Sequence, residues 1–261
     1  MLASGRLRHL SLAICAAASL QAARAEPSRL DAILSARVLR VGTTGDYRPF
    51  TARDKANGGY SGFDIDMAKA LGDALGVEVA FAPTTWPTLA HDLQSGAFDI
   101  AMGGVSISLD RRKIGYFSDP YLRDGKTPIA RCADQAKFQT LDEIDRPGVR
   151  VIVNPGGTNE RFDRAHLHEA TIVVQPDNTA IFDTLAGGGA DLIITDASEA
   201  RLQQKLHPNA LCAVHPDKPF DSAEKAYWMP PDPALEAFVD QWLRRMKETG
   251  AFAALEAKWL R

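Results

Sequence analysis

Asp191-Leu-Ile-Ile-Thr-Asp-Ala-Ser-Glu199 sets a short apolar run, Leu192 to Ile194, directly ahead of Thr195-Asp196 and a helix-forming stretch from Ala197 to Lys205. A run this short and continuous reads as a strand covered on both faces, as in a parallel sheet. Ligands of open α/β sheets gather where such strands end and helices begin. Two carboxylates, Asp196 and Glu199, stand three residues apart at that turn. The spacing fits a capping box with Asp196 as N-cap and Glu199 reaching back. The cap is the commoner use of such a spacing, and a pair of ligand-facing acids stays open beside it.

Around this unit the chain alternates strands and helices. The strand Val38 to Thr43 leads to a loop holding Tyr47 and Phe50. From Asp64 to Leu75 the apolar residues Ile65, Ala68, Leu71 and Leu75 recur at helical spacing, and Gly76 ends the run. Val77 to Ala82 and Asp99 to Met102 read as strands around a helix from Leu89 to Leu93, giving β-α-β-α-β and a mostly parallel sheet. Extended chain at Tyr116 to Tyr121 and Thr127 to Arg131 marks a crossover. A second, smaller set follows: strands at Val149 to Val153, Thr171 to Val174 and Ala210 to Val214, helices from Thr158 and from Asn178, and the opening unit. Pro216 to Pro219 marks the return crossover. Glu224 to Met229 is expected to rejoin the first sheet, and helices Pro233 to Thr249 and Ala251 to Trp259 close it. The expected architecture is α/β with two lobes, each a mostly parallel sheet flanked by helices, joined by two hinge strands. The first lobe takes residues 26–128 and 222–261, the second 129–221.

The first 25 residues stand outside this pattern. Arg6 and Arg8 precede an apolar run from Leu10 to Leu20, and Ala23-Arg24-Ala25 offers a small-x-small cleavage site. The run is too short to span a bilayer comfortably. Cys15 within it follows Ile14 rather than the small residue that lipid-modified leaders carry. The mature chain is therefore expected in the periplasm without membrane insertion. Cleavage removes Arg6, Arg8 and Arg24 and no acid, taking the net charge from −3 to −6. That balance argues against a nucleic-acid partner. Hydrophobic content of 45% and charged content of 24% fit an ordinary globular chain. Cys132 and Cys212 remain, an even pair that favours a disulfide in an oxidising compartment over free thiols. His166 and His168 read as surface, and no spacing suggests a metal site.

Two α/β lobes, a double crossover and a leader resemble the periplasmic solute-binding proteins, specifically the type 3, polar-amino-acid branch. The resemblance is carried by Gly59-Tyr-Ser-Gly-Phe-Asp-Ile-Asp66, by Phe98-Asp-Ile-Ala101, and by Arg111 ahead of Phe117-Ser-Asp-Pro-Tyr121. Further stretches are similar to the periplasmic cyclohexadienyl dehydratases: Thr43-Thr-Gly-Asp-Tyr-Arg-Pro-Phe50, Pro120-Tyr-Leu-Arg-Asp-Gly-Lys-Thr-Pro128, Val153-Asn-Pro-Gly-Gly-Thr-Asn-Glu160, Thr195-Asp-Ala-Ser-Glu-Ala-Arg-Leu202 and Ala223-Glu-Lys-Ala-Tyr227. The likeness covers essentially the whole mature chain. It implies conversion of prephenate to phenylpyruvate and of arogenate to phenylalanine, without cofactor or metal.

That resemblance gives residues their expected roles. Glu199 matches the general acid, a task that calls for a carboxyl with a raised pKa in a desolvated setting. Trp86 is expected to lie over Glu199 when the lobes close; read alone, it is as readily a core residue. Arg111 matches a bidentate carboxylate clamp, with Ser106 and the backbone near Gly104 completing its contacts. Gly157 and Thr158 open a helix whose free N–H groups suit an anion, and Asn154 adds amide donors. Lys126 would supply a second positive charge. Tyr47 and Phe50 would wall the ring, with Asp46 a weaker candidate. Asp196 corresponds to the residue that accepts a ligand ammonium in amino-acid-binding relatives, and arogenate carries that group where prephenate does not. Glu224 and Lys225 receive no role. The alternative is an amino-acid-binding receptor of an ABC importer, with Asp196 and Arg111 gripping a zwitterion and Glu199 only capping its helix. The sequence leaves monomer and homo-oligomer both open.

Overall fold

The computed structural model describes residues 28–260. The leader read at residues 1–25 lies outside them. Among the described residues, no helix is long and apolar enough to cross a membrane.

Leu192–Asp196 is buried along its whole length. Ile193 packs with Ile129, Ile152 and Leu185 on one face. Leu192 and Ile194 pack with Ala130, Val151 and Ile144 on the other. Two covered faces explain why this strand is continuously apolar rather than alternating. Its sheet runs in the order Thr171–Val174, Arg150–Val153, Leu192–Asp196, Lys126–Arg131, Leu211–Ala213. The first sheet runs Glu78–Pro83, Val38–Thr43, Ile100–Ala101, Trp228–Met229, Tyr116–Phe117.

One strand in each sheet opposes its neighbours: Trp228–Met229 in the first and Lys126–Arg131 in the second. Each follows a strand of the two-stranded hinge, Ala223–Lys225 paired antiparallel with Leu122–Asp124. A chain coming out of the hinge meets each sheet at the carboxyl ends of its parallel strands, so it runs against them. The register then sets Lys126 opposite Asp196 and Trp228 opposite Ala101. Two sequence expectations change as a result. The second sheet begins at Lys126, so residues 126–128 belong with it rather than with the first lobe. Ala223–Lys225 stays in the hinge, and only Trp228–Met229 rejoins the first sheet.

The helix Phe63–Leu75 buries Ile65, Ala68 and Leu71, and Gly76 ends it in the left-handed region at φ 68°. The loop after Val38–Thr43 is more ordered than its sequence suggests: Asp46–Tyr47, Thr51–Arg53 and Tyr60–Ser61 form a small sheet beside the cleft. Cys132 and Cys212 are disulfide-bonded, tying the end of Lys126–Arg131 to Leu211–Ala213 across a separation of 80 residues.

Candidate active site

The carboxyl ends of both sheets face one cavity. Tyr47, Trp86, Gly104, Ser106 and Arg111 line it from the first lobe side. Asn154, Gly157, Thr158, Asn159, Asn178 and Asp196 line it from the second.

Arg111 stands in the short helix Leu109–Arg112, which Ser108 caps through its hydroxyl. Arg111 is 5% exposed, and its guanidinium donates through Nη1 to the Ser106 carbonyl at 2.8 Å. The indoles of Trp86 and Trp228 lie 5.9 Å from it, each in cation–π range. Burial and the neighbouring charge of Arg161 lower its pKa to about 10, which leaves it cationic at neutral pH. Among the described residues no carboxylate forms an ion pair with it. A buried, unpaired guanidinium on a cavity wall is costly by itself and is a ready partner for an incoming carboxylate. Ser106 lines the cavity beside it, but the Gly104 N–H is already given to Asp64 Oδ2 at 2.5 Å, so it does not complete a ligand's contacts. Gly104 has φ +71°, and a Cβ there would come within 2.6 Å of the Tyr47 ring.

The second lobe contributes Gly157 as N-cap of the helix Thr158–His166, with no side chain capping the first turn. Asn154 lies below it, its amide nitrogen 3.4 Å from where a Gly157 Cβ would stand. Thr158 and Asn159 both accept from Lys126 Nζ, at 3.0 and 2.5 Å.

Asp196 is the centre of a buried charge cluster. Lys126 Nζ donates to its Oδ1 and Lys225 Nζ to its Oδ2, each at 2.6 Å. The Tyr47 hydroxyl donates to Oδ2 as well. Burial alone would push the Asp196 pKa up, but the two ammonium groups outweigh it and hold the carboxyl well below its ordinary range. Burial lowers the Lys225 pKa, yet Asp196 and Asp124 outweigh burial and keep it raised. The capping box expected from the sequence is absent: Asp196 makes no side-chain cap bond. Asp124, arriving from the hinge, caps the helix instead, accepting from Ser198 N at 3.1 Å and Ser198 Oγ at 2.5 Å.

Glu199 is 3% exposed and accepts from Thr195 Oγ1 at 2.5 Å. Asn159 Nδ2 in turn donates to that hydroxyl at 3.0 Å. Burial, reinforced by the negative charge of Asp196, raises the Glu199 pKa to about 8. Its side chain lines an outer groove with Asp46, Arg48, Gln203 and His207, and Asn178 lines both that groove and the inner cavity. Glu199 does not line the inner cavity itself; it is joined to it through Thr195 and Asn159, and Asn159 does line it.

Two further expected site contacts are not formed. The Trp86 N–H donates to Asp46 Oδ1 at 3.1 Å, and the ring meets Tyr47 edge-on at 5.6 Å, so Trp86 lines the cavity without covering Glu199. The half-buried Asp46 carboxylate is the acceptor that draws it there. Phe50 is fully buried behind Tyr47, stacked on it at 5.3 Å, and backs the site instead of facing a ligand. Three residues escaped the sequence reading: Lys225, Asn159 and Asn178. Asn178, which follows Pro176-Asp177, donates through Nδ2 to the Asp46 carbonyl at 3.0 Å and so bridges the lobes. Lys225 gave one signal, its place directly ahead of Ala226-Tyr-Trp-Met229, an apolar run that is buried throughout.

The profile of the bacterial extracellular solute-binding proteins, family 3, matches residues 39–261. This chain belongs to that family. It is 56% identical over 249 residues to the cyclohexadienyl dehydratase of Pseudomonas aeruginosa, covering 95% of this chain and 91% of that one. It is 26% identical over 235 residues to the L-cystine-binding protein TcyJ of Escherichia coli K12, covering 90% and 87%. Among solved structures, it is similar to an ancestral amino acid-binding protein described as a precursor of cyclohexadienyl dehydratase, with TM-score 0.83 and 38% identity over 90% of this chain and 100% of that one. An ancestral cyclohexadienyl dehydratase matches at 53% identity and TM-score 0.57, covering 91% and 98%.

Proposed function

We propose that this chain is a periplasmic cyclohexadienyl dehydratase, a lyase that turns prephenate into phenylpyruvate and arogenate into phenylalanine in the interlobe cavity. The observation that carries the reading is the buried Glu199 carboxyl, its pKa raised to about 8, joined through Thr195 and Asn159 to the cavity that holds the unpaired cation of Arg111. A receptor that only holds and releases its ligand gains nothing from a buried neutral acid. A dehydratase needs one.

The reaction consumes one proton. Prephenate dianion and a proton give phenylpyruvate anion, carbon dioxide and water. The carbon–oxygen bond to the ring hydroxyl and the carbon–carbon bond to the ring carboxylate both break. The electron pair left by departing carbon dioxide enters the ring, and aromatisation drives the step. Arg111 holds one substrate carboxylate with bidentate geometry, assisted by Ser106. Thr158, Gly157 and Asn154 hold the other at the start of their helix. Lys126 acts through Asp196, Thr158 and Asn159, fixing the wall against which the ring is set. Tyr47 supplies the aromatic face. Glu199 protonates the departing hydroxyl, held in place by Thr195. The burial that raises its pKa keeps the carboxyl protonated and able to donate at neutral pH.

The deciding experiment mixes purified mature protein with prephenate at neutral pH and reads phenylpyruvate by its enolate absorbance in alkali. A protein-dependent rate that disappears in Glu199→Gln establishes both the activity and the acid. A rate no faster than the spontaneous reaction would return the chain to the receptor reading, with amino-acid titration as the next measurement.

A further inference from the structure

We propose that Glu199 recovers its proton from the outer groove, relayed by His207, and not from the cavity into which it gives that proton up. The proposal rests on the dehydratase reading and concerns how that site is reset between turnovers.

Each turnover takes one proton from Glu199. The departing ring hydroxyl accepts it and leaves as water, and a carboxylate remains that must be protonated again. On the cavity side, Glu199 is backed by Thr195 and Asn159, and substrate and then product fill the space beyond them. Recharging from there would wait for the lobes to part. The groove side carries no such condition, because Glu199 lines the groove directly, together with Gln203 and His207. These three recur every fourth residue along the helix Ala197–Leu206 and its C-cap, so they share one helical face. Glu199 sits in the first turn and His207 at the far end. They stand about 12 Å apart along the axis. Between them the Gln203 side chain, in a residue 7% exposed, has no hydrogen-bond partner among the described residues and is free to bind solvent in the groove.

His207 is placed to hold a proton and pass it on. Its Nδ1 lies 3.1 Å from the Gln203 carbonyl and its Nε2 3.3 Å from Asp183 Oδ1. Both ring nitrogens face acceptors, an arrangement that an imidazolium with its two N–H groups satisfies. The ring also caps the carboxyl end of its helix, where the last carbonyls favour a cation. The Asp183 side chain is 84% exposed, so the outer nitrogen stands at the edge of bulk solvent. Besides Glu199, the other ionisable side chains of the groove are arginine, lysine and aspartate, and histidine is the one that exchanges protons readily near neutral pH. In the step itself the imidazolium gives a proton to solvent in the groove, and that solvent protonates the Glu199 carboxylate. The imidazole then regains a proton from hydronium or a buffer acid on the Asp183 side. His207 touches no substrate and serves as a relay.

The test separates the first turnover from later ones in weakly buffered solution. With enzyme in excess over prephenate, product forms with the proton that Glu199 already carries; with prephenate in excess, every cycle needs a new one. His207→Gln is expected to keep the single-turnover rate within about twofold of wild type while kcat falls at least about tenfold, the low end of what a positioned proton donor contributes. Imidazole added to the solution should restore kcat. Gln203→Leu removes no hydrogen bond to the protein and should show the same split between the two regimes; it decides if His207→Gln does not melt cooperatively. A role confined to folding would slow both regimes together and gain nothing from imidazole. That result overturns the proposal, as does an unchanged kcat in both variants. Turnover missing from the wild type would instead refute the dehydratase reading.

Discussion

The hydroxyl of Thr195 stands 2.5 Å from Glu199 Oε2, which it serves as hydrogen-bond donor, and Thr195 itself lies within the strand Leu192–Asp196, buried along its whole length. The acid is therefore positioned from rigid sheet, not from a loop. Replacing Glu199 by Gln keeps shape and hydrogen bonding but removes the proton. We expect kcat to fall by roughly 10²- to 10⁴-fold with KM little changed. A kcat within threefold of wild type, measured by the phenylpyruvate assay, would reject Glu199 as the acid.

The same carboxyl sets a pH dependence. With its pKa raised to about 8 by burial and by Asp196, Glu199 is in its working, protonated form below that value and loses it above. The rate with prephenate should decline with an apparent pKa near 8, and the decline should vanish in the residual activity of Glu199→Gln. Stability follows the same sign. The folded chain holds this proton more tightly than the unfolded chain, whose ordinary value is 4.5. The stabilisation is full below 4.5 and is lost as pH rises through about 8. The melting temperature of Glu199→Gln should vary less over that window than the wild type's; parallel curves would contradict the assignment.

Arg111 has its task by virtue of being buried and unpaired. Arg111→Ala should weaken substrate binding by about 10- to 100-fold, the value of a charged hydrogen bond. Arg111→Lys should recover little, because a point charge cannot reproduce the planar fork between the indoles of Trp86 and Trp228. Calorimetric titration on the Glu199→Gln background separates binding from turnover, and an unchanged affinity would remove Arg111 from the site.

The bond between Cys132 and Cys212 closes a long stretch of the second lobe, with 80 residues of separation. Its loss through Cys132→Ser with Cys212→Ser should reduce unfolding free energy by about 2–4 kcal/mol. Urea melts of the variant beside the oxidised wild type measure this. Coincident curves would mean that packing alone sets the lobe's stability.

Much of this fold could be read from local pattern. The apolar run at Leu192 to Ile194 and the spacing of Ile65, Ala68 and Leu71 each report burial by a neighbour that any α/β lobe must supply. Arg111, Lys126 and Asp196 were legible because motif likeness points at positions. The contacts among them were not. Trp86 turned to Asp46, and Phe50 went behind Tyr47, because those partners come from strand pairings and lobe contacts that no single stretch encodes. Lys225 was hardest to see, since a lysine in a hinge strand usually faces water. Only the register of two strands and the approach of Asp196 make it a buried ion. The cap reading of Asp196 failed for the same reason: Asp124, 72 positions earlier in the chain, occupies the role.

Tyr47 reaches Asp196, and Asn178 reaches the Asp46 carbonyl, so both bonds join the lobes with groups the chain itself provides. Part of the free energy of closure is thus intrinsic to the protein. A binding protein that relies on its ligand to shut must spend ligand affinity on the population shift. Here the substrate need supply only the remainder, leaving more of its binding energy to act at the transition state. The corresponding burden falls on departure, because product must leave through a cleft that these two bonds tend to shut. Opening is then a natural candidate for the step that limits turnover once the chemistry is fast.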